Sequence, residues 1–363
     1  MPDSIQTRKI EHLELTASGD VEARQRAGWD DIRLLHTSLP EVDLDEVDCS
    51  QRFLGRRLRY PIAIAGMTGG FERAGQINAI LAHAAESFGL AVGVGSQRAA
   101  LVSEELAGTF AIARREAPSA FVIANVGAPQ LIDQESGPRL SLSQVRQAVQ
   151  MVAADALAVH LNYLQEVVQP EGDHRARGCV QALAQLCAEL PIPVIAKETG
   201  GGMTRETAMT LRDCGVKALD VGGRGGTSFA AVEGLRAASR GEALQVDLGK
   251  LFREWGIPTA VSITQAVATD LPLIATGGVR SGLDAAKAIA LGATLVGVGR
   301  PLVQAALEGQ AAVETWLHRF VAEFRAAMFL TGSRTVEELR RKRVIVTGET
   351  LAWVNGLSAS IAP

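Results

Sequence analysis

The 363-residue chain is longer than one average domain and shorter than three. Hydrophobic residues make up 47%, enough for a large core, while 36 basic and 40 acidic side chains nearly cancel to a net charge of −4. That balance excludes nucleic-acid binding through bulk positive charge and leaves glycine abundance (37) and aromatic scarcity (4%) as the main signals, which favour an α/β fold with tight turns around phosphates.

The first 60 residues are polar and charged. They hold an ionic cluster, Arg8-Lys9-Ile10-Glu11-His12, and an acidic stretch, Glu41–Asp48. A solvated tail is the ordinary fate of such runs. No apolar leader is visible in Met1–Gly28, and no uncharged apolar run reaches about 18 residues. A cytoplasmic protein with no membrane and no nucleic-acid partner is therefore expected. Cys49, Cys179, Cys187 and Cys214 show no CxxC spacing and read as buried or incidental thiols.

Eight short apolar runs follow. They begin near Pro61, Ala91, Phe121, Ala156, Pro193, Ala218, Pro272 and Leu295, a mean spacing of about 33 residues. Unbroken Val/Ile/Ala runs are what strands buried on both faces look like. Between them the periodicity predicts helices over Ala74–Phe88, Ser143–Val152, Arg205–Cys214 and Ser281–Leu291, with Thr204 and Ser281 as N-caps and stops at Gly215 and Gly292. Eight such units match a single (β/α)8 TIM barrel; an open doubly wound sheet is the alternative. Arg236–Lys250, in the longest interval, reads as a loop or insertion on the active-site side. The expected organisation is an N-terminal extension (1–60), the barrel (61–310) and a C-terminal helical segment (311–363) packing on it, with Ser358–Pro363 disordered.

In such a barrel, function sits at the C-terminal ends of the strands. The eight runs end there in Gly66-Met67-Thr68, Ser96-Gln97-Arg98, Asn125, His160-Leu161-Asn162, Lys197-Glu198, Gly222–Ser228, Thr276–Arg280 and Gly299-Arg300. Thr276–Ser281 opens a helix, so its backbone N–H groups suit a phosphate. Lys197, one of only 6 lysines, ends a buried strand and needs a partner. Either Glu198 or a neighbour pairs with it, or it faces an anionic cofactor. A ring of small polar groups, one cation and a phosphate site suits flavin mononucleotide. Beyond the barrel end, His160 begins a polar run with Asn162, Gln165 and Glu166. Glu166 is either a surface charge or a lone carboxylate for Mg²⁺, which also draws on substrate phosphates.

The motifs RKIEHL (8–13), GMTGG (66–70), GSQRAA (95–100), HLNYLQE (160–166), KETGGGM (197–203), DVGGRGGTSF (220–229) and TGGVRSG (276–282) run in order almost end to end. With them the chain resembles the type 2, FMN-dependent isopentenyl-diphosphate isomerases. The resemblance implies a reversible 1,3-proton shift between isopentenyl and dimethylallyl diphosphate, with FMN kept reduced by NADPH, Mg²⁺ on the diphosphate, and a homo-oligomer. Residue by residue, it implies flavin contacts at Gly66, Met67, Thr68, Ser96, Asn125, Lys197 and Thr227, and at Gly277, Gly278, Arg280, Gly299 and Arg300 for the flavin phosphate. Arg8, Lys9, His12, Ser96, Gln97, Arg98, Asn162 and Gln165 would hold the small-molecule diphosphate substrate. Gln165 and His160 would act in catalysis and Glu166 would ligate the metal. The N-terminal segment is the candidate lid.

Three positions depart from the family pattern: Tyr163 where Pro is frequent, Phe229 where Trp is frequent, and Gly299-Arg300 where a small or apolar pair is usual. Two other readings stand beside the resemblance. A hydroxy-acid oxidase or IMP-dehydrogenase-like flavin barrel would need, respectively, a His base near the seventh strand or a Cys after the sixth, and no His lies between 175 and 317. A non-catalytic flavin-binding protein would not need polar groups at all eight strand ends.

Overall fold

All eight apolar runs become parallel strands, and they close on themselves. The computed structural model describes residues 2–358. Three short strands precede the barrel: β1 (Ile32–Leu34), β2 (Gln51–Phe53) and β3 (Arg56–Leu58). The barrel follows as β4 (Ile62–Ile64), β5 (Ala91–Gly93), β6 (Phe121–Gly127), β7 (Ala156–Leu161), β8 (Val194–Glu198), β9 (Ala218–Asp220), β10 (Leu273–Thr276) and β11 (Leu295–Val298). β12 (Val344–Val346) comes near the C-terminus. Neighbouring barrel strands pair in chain order, and β11 returns to β4.

Strand alternation sorts the side chains into two cores. Ala63, Ala91, Phe121, Ile123, Ala158, Ile195, Ala218, Ile274 and Leu295 fill the barrel interior. Their sequence neighbours Ile62, Ile64, Val92, Val122, Leu157, Ala196, Leu219 and Val296 pack outward against the helices. Continuing the inward series to the strand ends places Asn125, His160, Lys197, Asp220 and Thr276 on the lumen side of the mouth. Register then aligns three of them in one row, His160 opposite Lys197 and Lys197 opposite Asp220.

The predicted helices form at Glu72–Phe88, Leu142–Met151, Arg205–Asp213 and Gly282–Ala290. Thr204 and Ser281 cap theirs through Thr207 N–H and Asp284 N–H, and Gly215 and Gly292 adopt φ of 92° and 115° just past the helix ends.

The structure differs from the sequence expectation in two places, one in the N-terminal flank and one between β9 and β10. The N-terminal cluster is no solvated tail: Pro2–Ser18 is a 17-residue helix, and Leu13 on it is buried. Arg236–Lys250 is no irregular loop either. It belongs to two helices, Phe229–Ser239 and Ala243–Leu251. They cross at Gly234 and Gly249, where a Cβ on Gly249 would fall 2.5 Å from Gly234 Cα, so no larger residue fits. The amphipathic C-terminal pattern forms the helix Gln310–Leu330, with Val313, Leu317, Phe320 and Phe324 in the core shared with the barrel helices. β12 pairs antiparallel with β1 and joins the two flanks. Of the expected terminal stretch, residues 359–363 lie outside the described residues. All four cysteines are free, and burial pushes the Cys49 and Cys187 thiols up to about 11.

The β2–β3 hairpin turns through Leu54 and Gly55, both at positive φ, the geometry of a tight two-residue turn. It delivers Phe53 and Leu58 to the interior cluster, and Phe53 meets Phe121 edge-on at 5.5 Å. Because Phe53 is 1% exposed, Phe53→Ala should destabilise the fold by about 3–5 kcal/mol, read as a lower urea midpoint in equilibrium unfolding.

Candidate active site

One cavity opens at the C-terminal end of the barrel. It is lined by every residue predicted for the site except Gln97. Arg8, Lys9 and His12 reach it from the N-terminal helix. Gly66, Met67, Thr68, Ser96, Arg98, Asn125, His160, Asn162, Gln165, Glu166, Lys197, Thr227, Gly277, Gly278, Arg280, Gly299 and Arg300 reach it from strand ends and loops.

Gln97 is a correction. It is fully buried; its Nε2 donates to Ala148 O at 2.8 Å and its Oε1 accepts from Asn125 N–H at 2.9 Å. A buried amide must satisfy both ends, and the backbone already satisfies these, so nothing remains for a substrate. Its effect passes through Asn125. The Asn125 Nδ2 donates to Val94 O at 3.0 Å, which turns Oδ1 toward His160 Nδ1 at 2.8 Å. Since Oδ1 accepts only, this contact calls for a proton on His160 Nδ1, and the ring also meets the Val126 backbone. Burial, with Lys197 and Lys9 nearby, pushes His160 down to about 4, so the ring is neutral at pH 7.

Lys197 pairs with Asp220 at 2.8 Å, not with Glu198. Glu198 instead gathers the N–H groups of Gly200, Gly201 and Gly202 on one oxygen. Burial drives it up to about 7 against those bonds. Asp220 was legible from the inward alternation Ala218, Asp220 and opens the motif DVGGRGGTSF, yet it was not among the expected site residues.

Across the cavity, the N-terminal helix is held by charge. Lys9 Nζ donates to Gly69 O and Ser96 O, each at 2.7 Å, and lies 5.0 Å from the Phe110 ring centre. Burial, then Arg8, pushes its ammonium down to about 7. His12 Nε2 and Gln165 Nε2 both meet Glu233 Oε1 at 2.8 Å. The Gln169 amide fits between Arg8 Nη1 (2.9 Å) and Glu233 (3.3 Å). Glu233 is fully buried, which alone would raise its pKa; His12, Arg236 and Gln165 overcome this and hold it at about 2. Arg236 in turn binds Glu11 at 2.9 Å and Glu171 at 2.8 Å. Sequence reasoning missed Glu233 and Arg236. The available signal was a Glu and an Arg three apart in an otherwise apolar helix.

Glu166 accepts from Asn162 Nδ2 and from Asp173 N–H, both at 2.8 Å, and burial raises its pKa despite them. Asn162 Oδ1 is buried without a partner. Asp173 also pairs with Arg98 at 2.8 Å. At the opposite end, Gly277 and Gly278 have φ of 123° and 65°, and a Cβ on Gly277 would lie 2.2 Å from Gly223 O. Thr276 Oγ1 and Arg300 Nε are buried there without partners. The cavity thus carries Arg280 and Arg300 at its glycine-rich end and Arg8, Lys9 and Arg98 at the other.

Among the described residues, no helix is long and apolar enough to cross a membrane. Residues 125–346 match the family model described as FMN-dependent dehydrogenase. The chain is 48% identical over 347 residues to an isopentenyl-diphosphate delta-isomerase of Methanoregula boonei, covering 95% of this chain and 94% of that one. It is 46% identical over 362 residues to one of Halobacterium salinarum, covering 99% of each. Among solved structures, a Pediococcus acidilactici lactate oxidase, described as putative there, matches with TM-score 0.64 at 17% identity, over 96% of this chain and 94% of that one. A mandelate oxidase matches with TM-score 0.59 at 21% identity, over 96% and 99%. The oxidases share the barrel, and the sequence relatives share nearly the whole chain. The chain belongs to the isopentenyl-diphosphate delta-isomerase family, within the FMN-dependent dehydrogenase class of barrels.

Proposed function

We propose that the chain interconverts isopentenyl diphosphate and dimethylallyl diphosphate by a 1,3-proton shift, with reduced FMN as cofactor, NADPH as the flavin reductant and Mg²⁺ on the diphosphate. The observation that carries this reading is one cavity lined by a glycine cradle with two arginines, by a second group of basic side chains from the N-terminal helix, and by His160.

The residues fit a flavin. The glycine cradle at Gly277–Gly278 and the unpartnered Thr276 Oγ1 and Arg300 Nε suit its phosphate, with Arg280 and Gly299 beside them. Gly66, Met67, Thr68, Ser96, Asn125, Lys197 and Thr227 line the part left for the ring. Bound reduced FMN supplies an acid/base group and negative charge beside the alkene. A metal also fits: Glu166 is a lone carboxylate, the unpartnered Asn162 Oδ1 adds an oxygen, and Mg²⁺ completes such sets with phosphate and water.

Around that chemistry the chain does four things. Arg8, Lys9 and Arg98 offer cations to the diphosphate. Lys197, steadied by Asp220, favours an anionic ring. Protonating an alkene develops positive charge, and neutral His160 avoids repelling it. Gln165, fixed by Glu233, is placed to orient a proton carrier. The docked N-terminal helix covers the mouth and limits water entry. The likeness to hydroxy-acid oxidases does not extend to their base, because the cavity histidines are His12 and His160.

An anaerobic assay with FMN, NADPH, Mg²⁺ and isopentenyl diphosphate should yield dimethylallyl diphosphate; no product refutes the reading. Glu166→Gln should retain flavin but raise the Mg²⁺ requirement by about tenfold or more, and a normal requirement would remove Glu166 from the metal site. Lys197→Ala leaves Asp220 uncompensated against the flavin, so FMN affinity should fall by about tenfold or more in a fluorescence titration. His160 should titrate near 4 by NMR. Its folded pKa lies below the ordinary 6.5, so the unfolded chain takes up the proton first. The stability it contributes is therefore present above about 6.5 and is lost as pH falls from there toward 4. A midpoint near 6.5 would show that burial does not control the ring.

A further inference from the structure

Arg300 lines the cavity just past the end of β11, and its surroundings are built around it. Its side chain is 12% exposed, with Nη1 2.9 Å from Glu22 Oε1. Nη2 donates to Gly19 O at 3.1 Å, while the buried Nε has no partner. The same Glu22 Oε1 accepts from Arg280 Nη2 at 2.7 Å. Arg280 Nη1 donates to Val279 O at 3.0 Å. One carboxylate oxygen therefore bridges both arginines at the glycine-lined end of the cavity.

Glu22 is itself fixed from the backbone. Its neighbours bond to the loop after β9: Ser228 N–H donates to Val21 O at 2.7 Å and Ala23 N–H to Gly226 O at 2.8 Å. Glu22 and Thr227 form an antiparallel bridge between them. The segment Gly19–Ala23 directly follows the N-terminal helix, so the arginines are anchored to the element that carries Arg8, Lys9 and His12.

We propose that Glu22 is a positioning residue for the flavin phosphate: it clamps Arg280 and Arg300 before the ligand arrives, leaving Arg300 Nε as the uncommitted donor. This rests on the FMN reading above. Ordering two long side chains in advance removes that cost from binding. The opposing effect is repulsion between Glu22 and the phosphate. Glu22 is 45% exposed, so water and salt weaken that repulsion and the arginine pairs alike; the clamp rests on direct contacts of 2.7 and 2.9 Å.

The test compares FMN with riboflavin, which lacks the phosphate, by fluorescence quenching on the flavin-free chain. Glu22→Ala should weaken FMN by about tenfold and leave riboflavin unchanged. Glu22→Gln keeps an acceptor oxygen and should stay within about threefold of the parent. In an Arg300→Leu background the Glu22→Ala effect should shrink. Unchanged or tighter FMN binding in Glu22→Ala would overturn the clamp in favour of repulsion or no role. Equal losses for both flavins would overturn it in favour of general damage to the fold. A parent chain that binds riboflavin but gains nothing from the phosphate would overturn the FMN reading itself.

Discussion

Charge inside a closed barrel mouth has to be paired, and that constraint organises the site. Removing a cation from water costs several kcal/mol unless a counter-charge and hydrogen bonds meet it. Here the cavity cations have carboxylates set behind them: Lys197 has Asp220, Arg98 has Asp173, and Arg280 and Arg300 share Glu22. His12 has Glu233. The sequence suggests a locally cationic pocket. The structure shows cations that face inward with carboxylates behind most of them; Glu22 is shared by two arginines, and Lys9 is held by the carbonyls of Gly69 and Ser96. Such pairs fix direction: an ammonium tied to a buried carboxylate cannot swing away before its ligand binds.

The barrel supplies the frame for this pairing. Alternation along β6 to β10 carries apolar side chains through the interior and converts to polar ones only at the last inward position. His160, Lys197 and Asp220 share one row because adjacent parallel strands are in register there. A one-residue slip would send all three into the helical layer. The apolar interior packing below, closed by Phe53 and Leu58 from the β2–β3 hairpin, therefore also fixes the chemistry above.

The strands and several helix ends were legible in the sequence because each depends on short-range rules: unbroken apolar runs, caps and glycine turns; the motifs shared with the family then named residues of which all but Gln97 line the cavity. What was not legible depends on contacts distant in sequence. Pro2–Ser18 looks like a polar tail because its partners, Glu233 and the carbonyls of Gly69 and Ser96, lie far along the chain. Gln97 sits in a motif beside Ser96 and Arg98, which line the cavity, yet its own side chain turns into the wall and bonds to Ala148. A motif fixes where the backbone goes; the direction of one amide within it is fixed by which buried groups need partners.

That same amide shows how far such a requirement reaches. Gln97 satisfies Asn125 N–H, Asn125 is thereby seated with Nδ2 on Val94 O, and Oδ1 is left to set the proton on His160 Nδ1. Burial first, then Lys197 in the next strand, keeps that imidazole neutral, and Asp220 keeps Lys197 in place. A neutral ring at the mouth is thus the end of a chain of local contacts. The protonation state of the site belongs to the folded barrel before any substrate enters. The N-terminal helix is docked beside it, with Lys9 on the carbonyls of Gly69 and Ser96.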